Sequence, residues 1–337
     1  MRGDLPVDET DLRVINLLQI APRIPWAGAG EILDLSPSAV AARWRRLSNA
    51  GIAWISAYRN LRSMHGIAAF VNVACKPRHR RALIDSLRAY PQVVSVVAAT
   101  GRSDLALTVT IMVPDLQALS ILVMDEIAGM RGVIDTATRV VTQLHAEGAA
   151  WRLDALEPRE AALARDAAQI SSERASGLPE TQRRALVRAL VANPRVSVAD
   201  LARELGGTAP TVRRQLSQVL ASGQVNIRCD ISAPVAGWPI ECNWMLRVPA
   251  TDVLDLVVAL RSRPQVRLCA SVIGDANLVI TTLSRSMPEL NEFERWLGTM
   301  LPRAEVRETF IGMRTFKRMG RILNDDGYAT GEMIPIE

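Results

Sequence analysis

Apolar residues Leu12, Val14, Ile15, Leu17 and Leu18 recur at helical spacing behind the polar start Asp8-Glu9-Thr10-Asp11, and Ala21-Pro22-Arg23 ends that run. A second, shorter helix is predicted from Trp26 to Leu33, weakened by Gly28 and Gly30. Asp34-Leu35-Ser36 reads as a turn, with Ser36 suited to an N-cap and Pro37 to a first helical position. The third helix then covers Ser38 to Asn49, with Val40, Trp44 and Leu47 inward and Gly51 past its end. A strand-like run, Ile52-Ala53-Trp54-Ile55, follows. After Gly66 the period changes. Strands are predicted at 67–74, 93–100, 105–113 and 133–144, with helices at 77–89 and 114–128 between them. The order β-α-β-β-α-β is the ferredoxin-like split motif, two helices on one face of a four-stranded antiparallel sheet. Its other face is free to meet a second sheet.

The same pattern then returns. Pro22-Arg23-Ile24 corresponds to Pro194-Arg195-Val196, Val40 to Val212 and Gly51 to Gly223, each 172 residues apart, while Gly101 corresponds to Gly274 at 173. A period this long marks a tandem duplication of domains and not a solenoid. In the second copy, helices are predicted at 180–192 and 198–205, then one capped by Thr208 with Pro210 early and Gly223 after its end, then at 250–262 and 287–300, and strands at 240–247, 265–273, 278–284 and 304–316. The expected fold class is therefore α+β, two three-helix (winged) helix-turn-helix domains alternating with two ferredoxin-like domains. The expected boundaries are 1–62 and 63–146 for the first copy, 179–234 and 235–325 for the second, a linker at 147–178 and a tail at 326–337. The linker's Ala-, Arg- and Glu-rich centre suits a helix, while Ser171-Ser172 and Ser176-Gly177 suit flexible chain.

Charge sharpens this picture. The net charge is only +5, and almost all the cations are arginines, the lysines being Lys76 and Lys317. From Ser36 to Met64 stand Arg43, Arg45, Arg46, Arg59 and Arg62 without an acid, and from Gly206 to Cys229 stand Arg213, Arg214 and Arg228, again without one. A local basic face on a nearly balanced chain is the footprint of a nucleic-acid-binding module. Cys75, Cys229, Cys242 and Cys269 are far apart and read as buried thiols, which together with the polar N-terminus points to the cytoplasm. No apolar run reaches the roughly 18 residues that span a bilayer, so no membrane partner is expected. His65, His79 and His145 are scattered, and no phosphate loop or metal-ligand cluster is present, so neither an enzyme nor a cofactor or metal is expected. Trp238, Trp244 and Trp296 read as core, and the sheets lack the interleaved aromatics that stack RNA bases.

Three helices with a tight turn before a basic third helix make a helix-turn-helix, whose last helix enters the major groove of double-stranded DNA. Arginine suits that face because its fork bonds guanine bidentately or holds a phosphate. The candidate DNA contacts are Arg43, Arg45, Arg46, Arg213, Arg214 and Gln215, with Ser36, Ser38, Thr208 and Thr211 beside phosphate at the helix starts. Gln215 stands where Arg43 does, and Arg213 and Arg214 where Ala41 and Ala42 do, so the two helices are expected to read different bases. The alternative is a ligand-sensing or oligomerising protein that does not itself bind DNA.

Asp8–Leu18, Ser36-Pro37-Ser38 with Val40-Ala41-Ala42-Arg43 and Leu47, Gly51-Ile52, and Gly101-Arg102-Ser103-Asp104-Leu105 together resemble the Lrp/AsnC family, the leucine-responsive transcriptional regulators of bacteria and archaea. The resemblance covers both copies. It implies a DNA-binding helix-turn-helix and a ferredoxin-like domain, called RAM, that makes homo-oligomers (dimers or higher) and takes an amino-acid effector near a glycine-led turn. On this chain that turn is Gly101, Arg102, Ser103 and Asp104 in the first copy and Gly274, Asp275 and Asn277 in the second. Two copies on one chain depart from the family's pattern and imply a chain that imitates a dimer. Asn277 replaces the turn aspartate, and an amide holds an ammonium less well than a carboxylate, so the second pocket is expected to be altered. Both residues are also ordinary turn formers.

Overall fold

The computed structural model describes residues 6–60, 66–100, 106–169 and 178–336. The Asp8 side chain accepts from the Asp11 N–H and Asp11 returns the bond, a capping box that starts α1 (Glu9–Ile20). The second helix, α2 (Trp26–Leu33), closes on Asp34 in the left-handed region, and a Cβ at Gly30 would overlap the Leu35 carbonyl, so the glycine that weakens this helix is what lets the turn close. Ser36 Oγ accepts from the Ala39 N–H at 3.1 Å to start α3 (Pro37–Asn49), and Gly51 at φ 72° ends it. β1 (Ala53–Arg59) follows. Then come β2 (Ile67–Cys75), α4 (Arg80–Ala89), β3 (Val93–Ala99), β4 (Ala106–Val113) and α5 (Leu116–Ser120). The last of these continues as a π-helical stretch, Ile121–Ile127, before β5 (Val133–Ala146). After α6 (Pro158–Ala168) the second copy runs α7 (Glu180–Ala192), α8 (Val198–Leu205), α9 (Ala209–Ala221), β6 (Val225–Ile231) and β7 (Ile240–Arg247). It ends with α10 (Val253–Leu260), β8 (Val266–Ile273), β9 (Leu278–Ser284), α11 (Met287–Met300), β10 (Glu305–Arg318), β11 (Arg321–Leu323) and β12 (Ala329–Met333).

These elements sort into two units that cut across the duplication. The first joins both helix-turn-helix modules with α6. β1 and β6 pair as an antiparallel ribbon in which Ser56 lies opposite Arg228. Since 56 + 172 = 228, equivalent residues face each other at the centre of the ribbon, which is the signature of a local two-fold axis within one chain. The same axis relates two arginines. Arg23 donates to the carbonyls of Pro194 and Val196, and Arg195 donates to those of Pro22 and Ile24 at 2.6 and 2.8 Å. Burial lowers the pKa of both guanidiniums; with the Arg23 charge added, Arg195 falls to about 10. The Arg195 guanidinium also lies 3.9 Å from the Trp26 ring centroid.

The interval expected as a linker belongs to this unit. Asn16 Oδ1 accepts from the Ala155 and Leu156 N–H groups, Gln19 Oε1 accepts from Leu153, and Glu160 on α6 pairs with Arg13. A capping box between Glu157 and Glu160 starts α6, and Ala164 is buried. Residues 153–168 are thus structural, a correction to the 147–178 linker whose cause is long-range side-chain-to-backbone bonding.

In the second unit each ferredoxin-like copy forms a four-stranded sheet, β3-β4-β2-β5 and β8-β9-β7-β10. The outer strand β5 then pairs with β8 of the other copy, and β10 with β3, so eight strands close on themselves and bury their edges. Phe70, Met245, Ala270, Val272, Val279 and Phe310 fill the space between the two sheets. The helices pack outside, Leu83, Ile84 and Leu87 on one sheet and Leu256, Phe293 and Leu297 on the other. The expected tail at 326–337 is corrected too: β12 pairs with β11, which pairs with β10. All four cysteines are free and buried, and burial pushes the Cys242 and Cys269 thiols up to about 12. No helix among the described residues is long and apolar enough to cross a membrane.

Candidate nucleic-acid interface and effector turn

Helix α3 turns Val40, Trp44 and Leu47 into the core. Its opposite face, Ser38, Ala42, Arg45 and Asn49, is exposed at i, i+4, i+7 and i+11 spacing. Arg45 makes no ion pair among the described residues. Its neighbours Arg43 and Arg46 are placed differently. Arg43 Nη1 meets Asp8 Oδ2 at 2.7 Å and Asp11 Oδ1 at 2.8 Å, and Arg46 meets the other Asp11 oxygen. The Asp11 carboxylate has no exposure at all, so these two arginines neutralise a buried anion and tie α3 to α1. Hydrogen bonds to Asp8 and Asp11 raise the Arg43 pKa; burial would raise that of Asp8, but the Arg43 bond holds it below its usual value. The expectation that Arg43 and Arg46 present themselves to DNA is therefore corrected: their charge is spent inside the module. Ser36 is the helix cap, and its Oγ lies 3.1 Å from Ser38 Oγ.

The second helix-turn-helix uses other residues for the same joint. Gln215, at the place of Arg43, donates to Gln182 Oε1 at 2.9 Å. Arg183, at the place of Asp11 (183 − 172 = 11), bonds Glu180 and the Leu178 carbonyl. Gln215 is thus a joint residue as well. Thr208 caps α9, with Thr211 Oγ1 3.0 Å away. Arg213 and Arg214 are exposed and make no ion pair among the described residues. Arg214 sits where Ala42 sits on α3, so each outer face carries one central arginine, displaced by three residues, about 4.5 Å along the helix axis.

Of the two effector turns, residues 101–105 lie outside the described residues, which includes Gly101, Arg102, Ser103 and Asp104. In the second copy both ends of the Asn277 amide are bonded, its Oδ1 accepting from the Val248 N–H at 2.8 Å and its Nδ2 donating to the Val248 carbonyl at 2.7 Å. Asp275 takes a bidentate pair from Arg139 of β5, at 3.0 and 3.1 Å. Burial would raise the Asp275 pKa, but Arg139 lowers it. A Cβ at Gly274 would come to 3.3 Å from Arg139 Cγ. This turn therefore closes a seam between the copies, with Asp275 and Asn277 bonded to the chain itself. Arg139, almost fully buried, is a residue that sequence alone did not single out.

Residues 7–48 match the AsnC-type helix-turn-helix domain, residues 68–150 the Lrp/AsnC ligand binding domain, and residues 179–226 a winged helix-turn-helix DNA-binding domain. An uncharacterised HTH-type transcriptional regulator of Pyrococcus horikoshii is 27% identical over 140 residues, which is 41% of this chain and 87% of that protein. HTH-type transcriptional regulator FL11 of Pyrococcus furiosus is 29% identical over 149 residues, 44% of this chain and 95% of its own. Each relative thus spans about one copy. Among solved structures the siroheme decarboxylase NirDL superposes with a TM-score of 0.58 over 95% of this chain and 94% of its own, at 14% identity. That likeness is one of fold, and it extends over both copies.

Proposed function

This chain belongs to the Lrp/AsnC family of DNA-binding transcriptional regulators, with the family's module duplicated, and from that premise we propose that a single chain reads an asymmetric DNA site. The observation that carries the proposal is the pair of unlike outer faces on α3 and α9, held in one unit by the β1–β6 ribbon. Arg45 with Ser38 and Asn49 would read one half-site, and Arg214 with Arg213 the other. The helix starts at Ser36 and Thr208 would sit against phosphate, where backbone N–H groups favour an anion. The protein acts on DNA inside the cell as a binding protein and not as an enzyme. An amino acid is the effector, held at the first copy's turn around Asp104, since the second copy's turn is occupied by its own contacts. Assembly beyond one chain is part of the proposal.

The test is affinity for duplexes selected from a random pool, measured at physiological salt. Arg45→Ala and Arg214→Ala should each weaken specific binding about tenfold or more and relax base preference in different halves of the site. The reading fails if both variants keep wild-type affinity and preference. For the effector, Asp104→Ala should remove any change in DNA binding on adding an amino-acid mixture, and an unchanged response would place the effector elsewhere.

A further inference from the structure

On the outer side of the second unit, a cavity of about 520 Å³ lies where α4, the end of β3 and β10 meet. Its floor is apolar: Ile84, Ala98 and Phe316 line it. Its rim is cationic, formed by Arg80, Arg81 and Arg314. Two carboxylates offset part of this charge. Asp325 is shared between Arg81 at 3.0 Å and Arg314 at 3.4 Å, and Asp85 reaches Arg81 only at 3.7 Å. Arg80 is half-buried and makes no ion pair among the described residues. Three guanidiniums over an apolar floor suit an anion whose body is apolar, because the fork geometry matches a carboxylate and the floor takes the rest. At this rim an ammonium group would find Asp325 already engaged by two arginines.

We propose that this groove binds a small apolar organic acid, held through its carboxylate by Arg80 and Arg314, and that it discriminates against amino acids because the carboxylates beside it, Asp85 and Asp325, are already paired with arginines. The duplication supplies an internal control. In the second copy Val253, Leu254 and Val258 stand where Arg80, Arg81 and Asp85 stand in the first, at an offset of 173, and β5 carries Val141 and Thr142 in the stretch corresponding to Arg314. The cationic rim is missing there, so one site per chain is expected. The site uses none of the turn residues 101–104 and does not depend on the DNA reading.

The experiment is calorimetric titration of the full chain with three probes that share one ring: 3-phenylpropanoate, its neutral amide 3-phenylpropanamide, and phenylalanine. The acid should bind once per chain, about tenfold or more tighter than either the amide or phenylalanine. Arg80→Ala and Arg314→Ala should each weaken the acid about tenfold, and Arg80→Val with Arg81→Leu, which copies the second module, should abolish it. Thermal melts report whether each variant folds. The proposal is overturned if the acid gives no heat up to millimolar concentration or binds twice per chain. It is equally overturned if phenylalanine or the amide binds as well as the acid, or if folded arginine variants bind the acid unchanged. Should the variants not fold, the three probes on the native chain still decide.

Discussion

At the scale of single residues, charge alone misleads about role. Arg43, Arg45 and Arg46 share one turn of α3, yet two are fixed by Asp8 and Asp11 and one is open. Asp11→Asn should therefore cost about 2 kcal/mol in a urea melt, because it strips a fully buried carboxylate from two arginines and from the α1 cap. Arg45→Ala should stay within about 0.5 kcal/mol of the native chain. Equal effects would mean that the Asp11 network carries no stability. Lys317 gives a pH test. It is fully buried on β10, with Nζ donating to the Tyr90 carbonyl at 2.7 Å, and burial pushes its pKa down to about 8 from 10.5. Between those values the unfolded chain binds more protons than the folded one, so stability rises with pH from about 8 to 10.5, and the full penalty, about 3 kcal/mol, is present below pH 8. Lys317→Met should be more stable than the native chain at pH 7, by about 1–3 kcal/mol, and the advantage should shrink by pH 10. A difference that does not change with pH would show that the lysine titrates normally.

At the scale of elements, the reciprocal arginines make the joint between the helix-turn-helix modules. Arg195→Ala should cost about 2–4 kcal/mol, since it removes two hydrogen bonds to carbonyls and the stack on Trp26. Arg23→Ala removes the hydrogen bonds without such a stack and should cost less. The double variant should fall short of the sum by about 0.5–3 kcal/mol, because both act on one interface, and strict additivity in denaturant melts would refute the coupling. Much of the element order was legible beforehand: α7, α8, α11, β7 and β9 fall on the predicted ranges because their apolar period is unbroken. β6 was hidden by Arg228 and Asp230, which interrupt its apolar run yet are both buried and paired with each other. β11 and β12 are short and separated by the turn-rich Asn324-Asp325-Asp326-Gly327, which reads as a tail. The exposed Arg45, Arg213 and Arg214 could be found from helical spacing. The engagement of Arg43 and Arg46 could not, since their partner Asp11 lies 32 and 35 residues away.

At the scale of the molecule, one chain carries both copies of the module: two helix-turn-helix modules on a shared ribbon, and two sheets whose outer strands pair across both seams. Replacing one half of a selected DNA site by the inverted copy of the other, which makes the site a palindrome, should lower affinity by tenfold or more, because Arg45 and Arg214 stand at different heights on their helices. A chain indifferent to that replacement would be reading a palindrome. The centre of the β1–β6 ribbon carries a further implication, for descent. In a dimer of identical modules, the residue on the axis must face its own double. Ser56 tolerates that arrangement, but Arg228 would bring two buried guanidiniums together. Opposite Ser56 it faces no second guanidinium across the ribbon and pairs with Asp230 on its own strand. Once that arginine had arisen, the second module could no longer take itself as a partner in this way, so the fusion works as a ratchet: the halves are free to diverge further, but not to return to life as separate symmetric proteins.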